Sequence, residues 1–174
     1  MEELAIPGVV LARPARHEDD RGWFMEIMRE EAFRDVFVQA NHSRSKQGVL
    51  RGLHYHREQA DAWYVLSGVA RVGLADLRRP HEGIATLTVE LRGDEPAVLY
   101  LPPGVAHGFY AVTDLDLIYF VTRYYDSSDE HSVAWDDPAL RVPWGVEEPI
   151  LSERDRTAPP LDPAEVERVL RAGG

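Results

Sequence analysis

The chain has 174 residues, 44% of them hydrophobic and 28% charged, with 30 acidic against 19 basic side chains, a formal net charge of −11 and no cysteine. That length suits one compact domain over residues 1–174, and the composition excludes wholesale disorder. The charge argues against nucleic acid polymers and anionic membrane surfaces as partners, and the missing thiols leave histidine and carboxylates as the strong metal ligands.

No apolar run approaches the ~20 residues that a membrane-spanning helix needs. The opening Met1 to Pro7 is acidic and soon broken by proline, unlike a secretory signal, so a cytoplasmic location is expected. Along the chain, short apolar runs are punctuated by Gly, Pro and Asp. Val9 to Arg13 and Gly22 to Met28 are expected strands. Arg29 to Val36 lacks β-branched residues over most of its length and is expected as a short helix or turn. Phe37 to Ser43 alternates in polarity and is expected to be extended. Val49 to Tyr55, Ala62 to Leu66, Ala70 to Asp76, Thr86 to Leu91, Ala97 to Leu101, Ala106 to Val112 and Leu117 to Thr122 continue the strands. Ser67-Gly68 and Thr113-Asp114 lie between apolar runs and are expected as hairpin turns. Many short strands at such spacing predict an all-β sandwich or barrel. The stretch from Gly145 to Leu161, rich in proline, is expected as a loop wrapping the strands. One firm helix follows: Asp162 can cap it, Pro163 fits its first position, and Glu165 completes a capping box.

Residues suited to chemistry cluster in three places. His54 and His56 are two apart on one predicted strand, so both rings point to one face. His107 follows the tight turn Pro102-Pro103-Gly104, and Asp137 lies in Trp135-Asp136-Asp137-Pro138. A single histidine is usually structural; three on inward-facing strands point to a site. Lys46 is the only lysine, so any step needing a lysine has one candidate.

Six segments in order resemble the dTDP-4-dehydrorhamnose 3,5-epimerase family. They are Asp20 to Glu26, Gln39 to Ser45, Gly48 to His54, Ala106 to Phe109, Tyr119 to Tyr125 and Trp135 to Pro138. The resemblance implies a cupin-type jelly-roll barrel, here with a short C-terminal helix, and a homodimer that exchanges strands. It also implies an enzyme without cofactor that epimerises C3, C5 or both of a dTDP-4-keto-6-deoxyhexose, as in rhamnose-type deoxysugar biosynthesis. Residue by residue, it makes His54 the base, Asp137 its carboxylate partner and Tyr119 the proton donor on the opposite face. Arg51 is implied near the diphosphate and enolate. Gln39, Asn41, Ser43 and His107 are implied in the sugar pocket. Arg21, Phe24 and Glu26 are implied to hold the nucleotide from the partner subunit, with Phe24 stacking on thymine. This chemistry suits a 4-ketone, which acidifies the hydrogens on both neighbouring carbons. Inverting a centre there needs a base, an acid on the other face and a charge that holds the enolate.

Two positions depart from the family. It commonly has Gln where this chain has His56, and a lysine where this chain has Asp61. With these changes, His54, His56, Asp61 and His107 resemble the ligand set of metal-dependent cupins, suited to a divalent transition metal. That alternative and the epimerase reading compete for His54, because a metal-ligated ring nitrogen has no lone pair with which to take a proton. A sugar-nucleotide binding module or a ketoisomerase are the further alternatives.

Overall fold

The computed structural model describes residues 1–33 and 35–172. In chain order its strands are β1 (Glu2–Glu3), β2 (Val10–Ala12), β3 (Arg16–Asp19), β4 (Gly22–Met25), β5 (Gln39–Ser45), β6 (Leu50–Tyr55), β7 (Asp61–Ser67), β8 (Val69–Asp76), β9 (Thr86–Arg92), β10 (Val98–Leu101), β11 (Val105–Ala111), β12 (Leu115–Val121) and β13 (His131–Ser132). Its helices are α1 (Glu30–Phe33), α2 (Glu153–Arg156) and α3 (Pro163–Arg171).

Eleven of the strands form two antiparallel sheets that face each other as a jelly roll, and β3 and β4 form a separate hairpin. One sheet has the order β1-β2-β10-β7-β12-β5, the other β13-β6-β11-β8-β9. Side-chain alternation decides what each face meets. Trp63 and Val65 on β7, Leu115 and Leu117 on β12, Val72 and Leu74 on β8, and Phe109 on β11 point between the sheets and form the main core. Residues of opposite parity point outward and need separate covers. On the five-stranded sheet, Leu53, Ala75 and Ala106 lie under Val142, Trp144, Val166 and Val169 of the C-terminal segment. Gly73 makes room for this cover: a Cβ there would lie 2.5 Å from the Trp144 ring. On the six-stranded sheet, Ala62, Tyr64 and Val98 lie under Met25, Ile27, Phe33 and Phe37.

The two expected hairpins are corners instead. β7 and β8, joined at Gly68, belong to different sheets, as do β11 and β12, joined at Thr113-Asp114. Flanking apolar runs cannot distinguish a turn within a sheet from a step between sheets, because both strands bury an inner face either way. The corners pack on each other: Val69 N–H donates to Thr113 Oγ1 at 3.0 Å, and a Cβ on Gly68 (φ +85°) would sit 2.0 Å from the Asp114 carbonyl oxygen. Asp162 caps α3 as expected, accepting from Ala164 N–H at 3.0 Å, but the capping box does not close: the Glu165 carboxylate binds Arg168 one turn on. The expected loop before it contains α2.

Candidate active site

Between the sheets lies a cavity of about 600 Å³, reached by side chains of both. A bulge in β6 shapes it. His107 on β11 pairs with His54 while Phe109 pairs with Arg51, so β6 uses three residues where β11 uses two. The extra residue resets the parity, and Arg51 and His54, three apart, both face the cavity. Glycine is needed on both sides of this step. A Cβ on Gly52 (φ +117°) would lie 2.7 Å from Gly108 Cα, and one on Gly108 would lie 2.5 Å from the Arg51 carbonyl oxygen.

His54 is bonded to Asp155, not to Asp137. Its Nε2–H donates to Asp155 Oδ1 at 2.7 Å. The carboxylate only accepts, which fixes the proton on Nε2 and leaves the Nδ1 lone pair free. Asp155 is itself held: Oδ2 accepts from Ser152 Oγ at 2.7 Å, and Ser152 caps α2. Burial pushes the Asp155 carboxyl up, but the hydrogen bonds from His54 and Ser152 outweigh it and hold it below its ordinary value. Asp137 is buried elsewhere. Its two oxygens accept from the backbone N–H groups of Ala139 and Leu161, each at 2.7 Å, and it does not line the cavity. Its lone pairs tie the chain before α3, so the expectation that it partners His54 is corrected.

The other sheet supplies the facing wall. Alternation along β5 turns Gln39, Asn41 and Ser43 to the cavity, and Gln39 Nε2–H donates to Asn41 Oδ1 at 2.8 Å. Tyr119 on β12 pairs in register with Asn41 and with Trp63. Burial, with help from Asp61 and Glu130, raises its hydroxyl pKa against the pull of Arg51, so the group keeps its proton at neutral pH. Arg51 donates from Nε to Ser45 Oγ at 2.9 Å and pairs with no carboxylate among the described residues. By contrast, Arg154 is bound to Glu130 at 2.6 Å and Arg57 to Glu58 at 3.0 Å.

His56, Asp61 and His107 converge in the cavity wall, each offering a ligand atom within 4.8 Å of the others. His54 is outside this group, so the expected four-ligand set reduces to three. Burial pushes the His107 ring down to about 4, opposed by Asp61 and assisted by His56, so the ring is neutral at pH 7.

Arg21, Phe24 and Glu26 are not at this cavity. Arg21 and Phe24 lie on the β3–β4 hairpin, whose strands pair only with each other among the described residues, and Glu26 follows directly after β4. Phe24 is 68% exposed, Arg21 is bound to Asp19, and Glu26 to Arg29.

Sequence reading missed Asp155. The signal in the sequence is local: Ser152 three residues before an acid is a helix-capping pattern, inside a proline-rich stretch that otherwise reads as loop. Trp63, Glu130 and Arg154 also line the cavity and were not singled out.

A sequence model of the family described as dTDP-4-dehydrorhamnose 3,5-epimerase matches residues 3–163. The chain is 39% identical over 148 residues to the spore coat polysaccharide biosynthesis protein SpsL of Bacillus subtilis, covering 82% of this chain and 98% of the relative. It is 37% identical over 164 residues to a dTDP-4-dehydrorhamnose 3,5-epimerase of Pseudomonas aeruginosa, covering 88% and 91%. Among solved structures, the epimerase RmlC of Legionella pneumophila in complex with dTDP-4-keto-L-rhamnose superposes with a TM-score of 0.83 at 33% identity, covering 94% of each chain.

Proposed function

The chain belongs to the dTDP-4-dehydrorhamnose 3,5-epimerase family, and on that premise we propose that His54 and Tyr119 exchange protons with the sugar ring from opposite sheets, Asp155 holding His54 in place. The protein is an epimerase of a dTDP-linked 4-keto-6-deoxyhexose in deoxysugar biosynthesis. The observation that carries the site assignment is the 2.7 Å bond from His54 Nε2 to Asp155, which leaves Nδ1 basic.

Nδ1 of His54 removes the hydrogen on the carbon next to the ketone. The imidazolium that forms is stabilised by Asp155, whose position and charge are fixed before the reaction. Electron density moves to the ketone oxygen as an enolate, and Arg51, which lines the cavity and pairs with no carboxylate among the described residues, is the cation suited to it or to the diphosphate. Tyr119, protonated at neutral pH, returns a proton to the carbon from the other face, and the centre is inverted. The sequence is redox-neutral, since the substrate's own ketone supplies the acidity. No organic cofactor is therefore required.

Nucleotide binding is assigned to the β3–β4 hairpin of a second copy. Trp23 and Phe24 are 56% and 68% exposed there, an unusual pairing of large apolar side chains with solvent. In a homodimer the hairpin reaches the partner's cavity, Phe24 stacking on thymine while Arg21 and Glu26 contact the nucleotide. No described helix is long and apolar enough to cross a membrane. A cytoplasmic location suits the nucleotide-linked substrate and the absence of cysteine.

Incubation with dTDP-4-keto-6-deoxyglucose in D2O tests the reading. Deuterium is expected at C3, C5 or both, and its incorporation is expected to collapse in His54→Asn. Full exchange by that variant would remove His54 as the base.

A further inference from the structure

We propose that His56, Asp61 and His107 form a binding site for one divalent transition-metal cation, in the wall of the same cavity as His54 but separate from it. Three independent features converge on this site.

The first is the tautomer of each ring. His107 Nδ1–H donates to the Val105 carbonyl at 2.9 Å, and His56 Nδ1–H donates to the Asp129 carbonyl at 2.8 Å. A carbonyl only accepts, so each neutral ring carries its proton on Nδ1 and directs an Nε2 lone pair elsewhere. Neither Nε2 has a hydrogen-bond partner among the described residues. Metal-ligating histidines are oriented in this way, by a backbone carbonyl on the far nitrogen.

The second is the carboxylate. Asp61 is 4% exposed, yet no arginine or lysine pairs with it among the described residues. Its nearest basic atom is His107 Nε2 at 3.9 Å, too far for a hydrogen bond. Gln59 Nε2–H and Trp63 Nε1–H donate to its two oxygens at 2.8 and 3.1 Å, which orients the group but brings no positive charge. A buried carboxylate without a cation is costly.

The third is the geometry. The ligand atoms lie within 4.8 Å of one another, and the rings of His56 and His107 are 5.5 Å apart. Two bonds of ~2.1 Å place ligand atoms about 3–4 Å apart in a tetrahedral or octahedral shell, so small side-chain adjustments suffice. Two imidazoles and one carboxylate on one side leave coordination positions open to the cavity, a donor set suited to Fe(II), Co(II), Ni(II) or Zn(II) rather than to Mg(II) or Ca(II). On the epimerase reading, the cation restores the positive charge that the family's lysine would bring at the position of Asp61.

The test uses the full-length protein, stripped with chelator and titrated with Zn(II) by calorimetry and with Co(II) by visible absorption. The expected result is one ion per chain, with Co(II) d–d bands. Loss of an outer hydrogen-bond partner typically costs about 10–100-fold in metal affinity, so His56→Ala and Asp61→Asn, which remove direct ligands, are each expected to cost more than about 100-fold. Circular dichroism confirms that these variants fold; if Asp61→Asn does not, the half-buried His56 decides alone. Asp155→Asn is expected to bind as the wild type does, because His54 and Asp155 are outside the site. No stoichiometric binding, or equal binding by His56→Ala, overturns the site. The proton-exchange assay is separate: metal binding without deuterium exchange would refute the epimerase mechanism alone, and exchange by a chain that binds no metal would refute the metal site alone.

Discussion

Replacing Asp155 by Asn probes the step on which the proposed chemistry turns. Asp155 is 5% exposed at its side chain and bonds His54 Nε2 at 2.7 Å, so water cannot take its place cheaply. Two losses follow. A hydrogen bond to a charged group contributes ~1.5–3 kcal/mol, which at ~1.36 kcal/mol per decade is about 10- to 150-fold in rate. An asparagine NH2 turned toward the ring would also donate to Nε2, moving the proton to Nδ1 and removing the basic lone pair; tautomer reversal of this kind costs up to ~10⁴-fold. Asp155→Asn is therefore expected to lower the deuterium incorporation rate by about 10²–10⁴-fold, measured by mass spectrometry or NMR of the dTDP-sugar in D2O. The KM should change little, since the group contacts the histidine rather than substrate. Asp137→Asn is the paired control. Its carboxylate holds two backbone N–H groups away from the cavity, and the amide oxygen can keep one of them. It should cost ~1–2 kcal/mol of stability while exchange per folded molecule stays near wild type. Wild-type exchange in Asp155→Asn together with a collapse in Asp137→Asn would refute the reasoning.

Tyr119→Phe is expected to lower net epimerisation by ~10²–10³-fold, with wash-out of substrate hydrogen surviving better than inversion; equal loss of both would make Tyr119 a general structural requirement. Gly108→Ala should destabilise the fold by ~1–3 kcal/mol and slow the enzyme, because its Cβ would meet Arg51 backbone 2.5 Å away; an unchanged melting temperature would deny the close approach of β6 and β11. The Tyr55 hydroxyl is pushed up to about 12, first by burial and then by Glu165. Its folded value exceeds the unfolded ~10, so its contribution is complete below pH 10 and is lost as pH rises toward 12, by up to ~2–3 kcal/mol. The fall in melting temperature between pH 9.5 and 11.5 should accordingly be smaller in Tyr55→Phe. Mixing Phe24→Ala with His54→Asn subunits should restore part of the activity if the hairpin serves the partner's cavity; no restoration after verified subunit exchange would place Phe24 in its own chain's site.

How much of this was legible in sequence depends on the range of the interactions. β6, β7, β8, β11 and β12 follow from alternation, which is local and strong where one face is buried. The helix after Asp162 follows from its cap. Gln39, Asn41, Ser43 and Tyr119 were reached through the family resemblance, on strands that alternation marks, and all four line the cavity. The misplacements are of a different kind. Ser67-Gly68 and Thr113-Asp114 have turn chemistry, but whether a turn stays within one sheet depends on strands far away in sequence. Asp155 lies 101 residues from His54, on a helix of four residues in a stretch dense with proline, and no periodicity announces it. Asp137 looked equally suitable as a carboxylate; only the positions of Ala139 and Leu161 reveal that its oxygens are already occupied. The likeness to metal-dependent cupins put His54, His56, Asp61 and His107 in one set; that only the last three converge is set by the folded geometry, in which His54 turns to Asp155.

The central claim is that His54 takes a proton from the carbon next to the ketone. Its most direct measurement is deuterium incorporation from D2O into dTDP-4-keto-6-deoxyglucose by the wild type and by His54→Asn, under conditions where both bind the dTDP-sugar. The account predicts label at C3, C5 or both with the wild type and at least ~10³-fold slower labelling with the variant. Wild-type binding without label, or labelling at the same rate by both proteins, would contradict it.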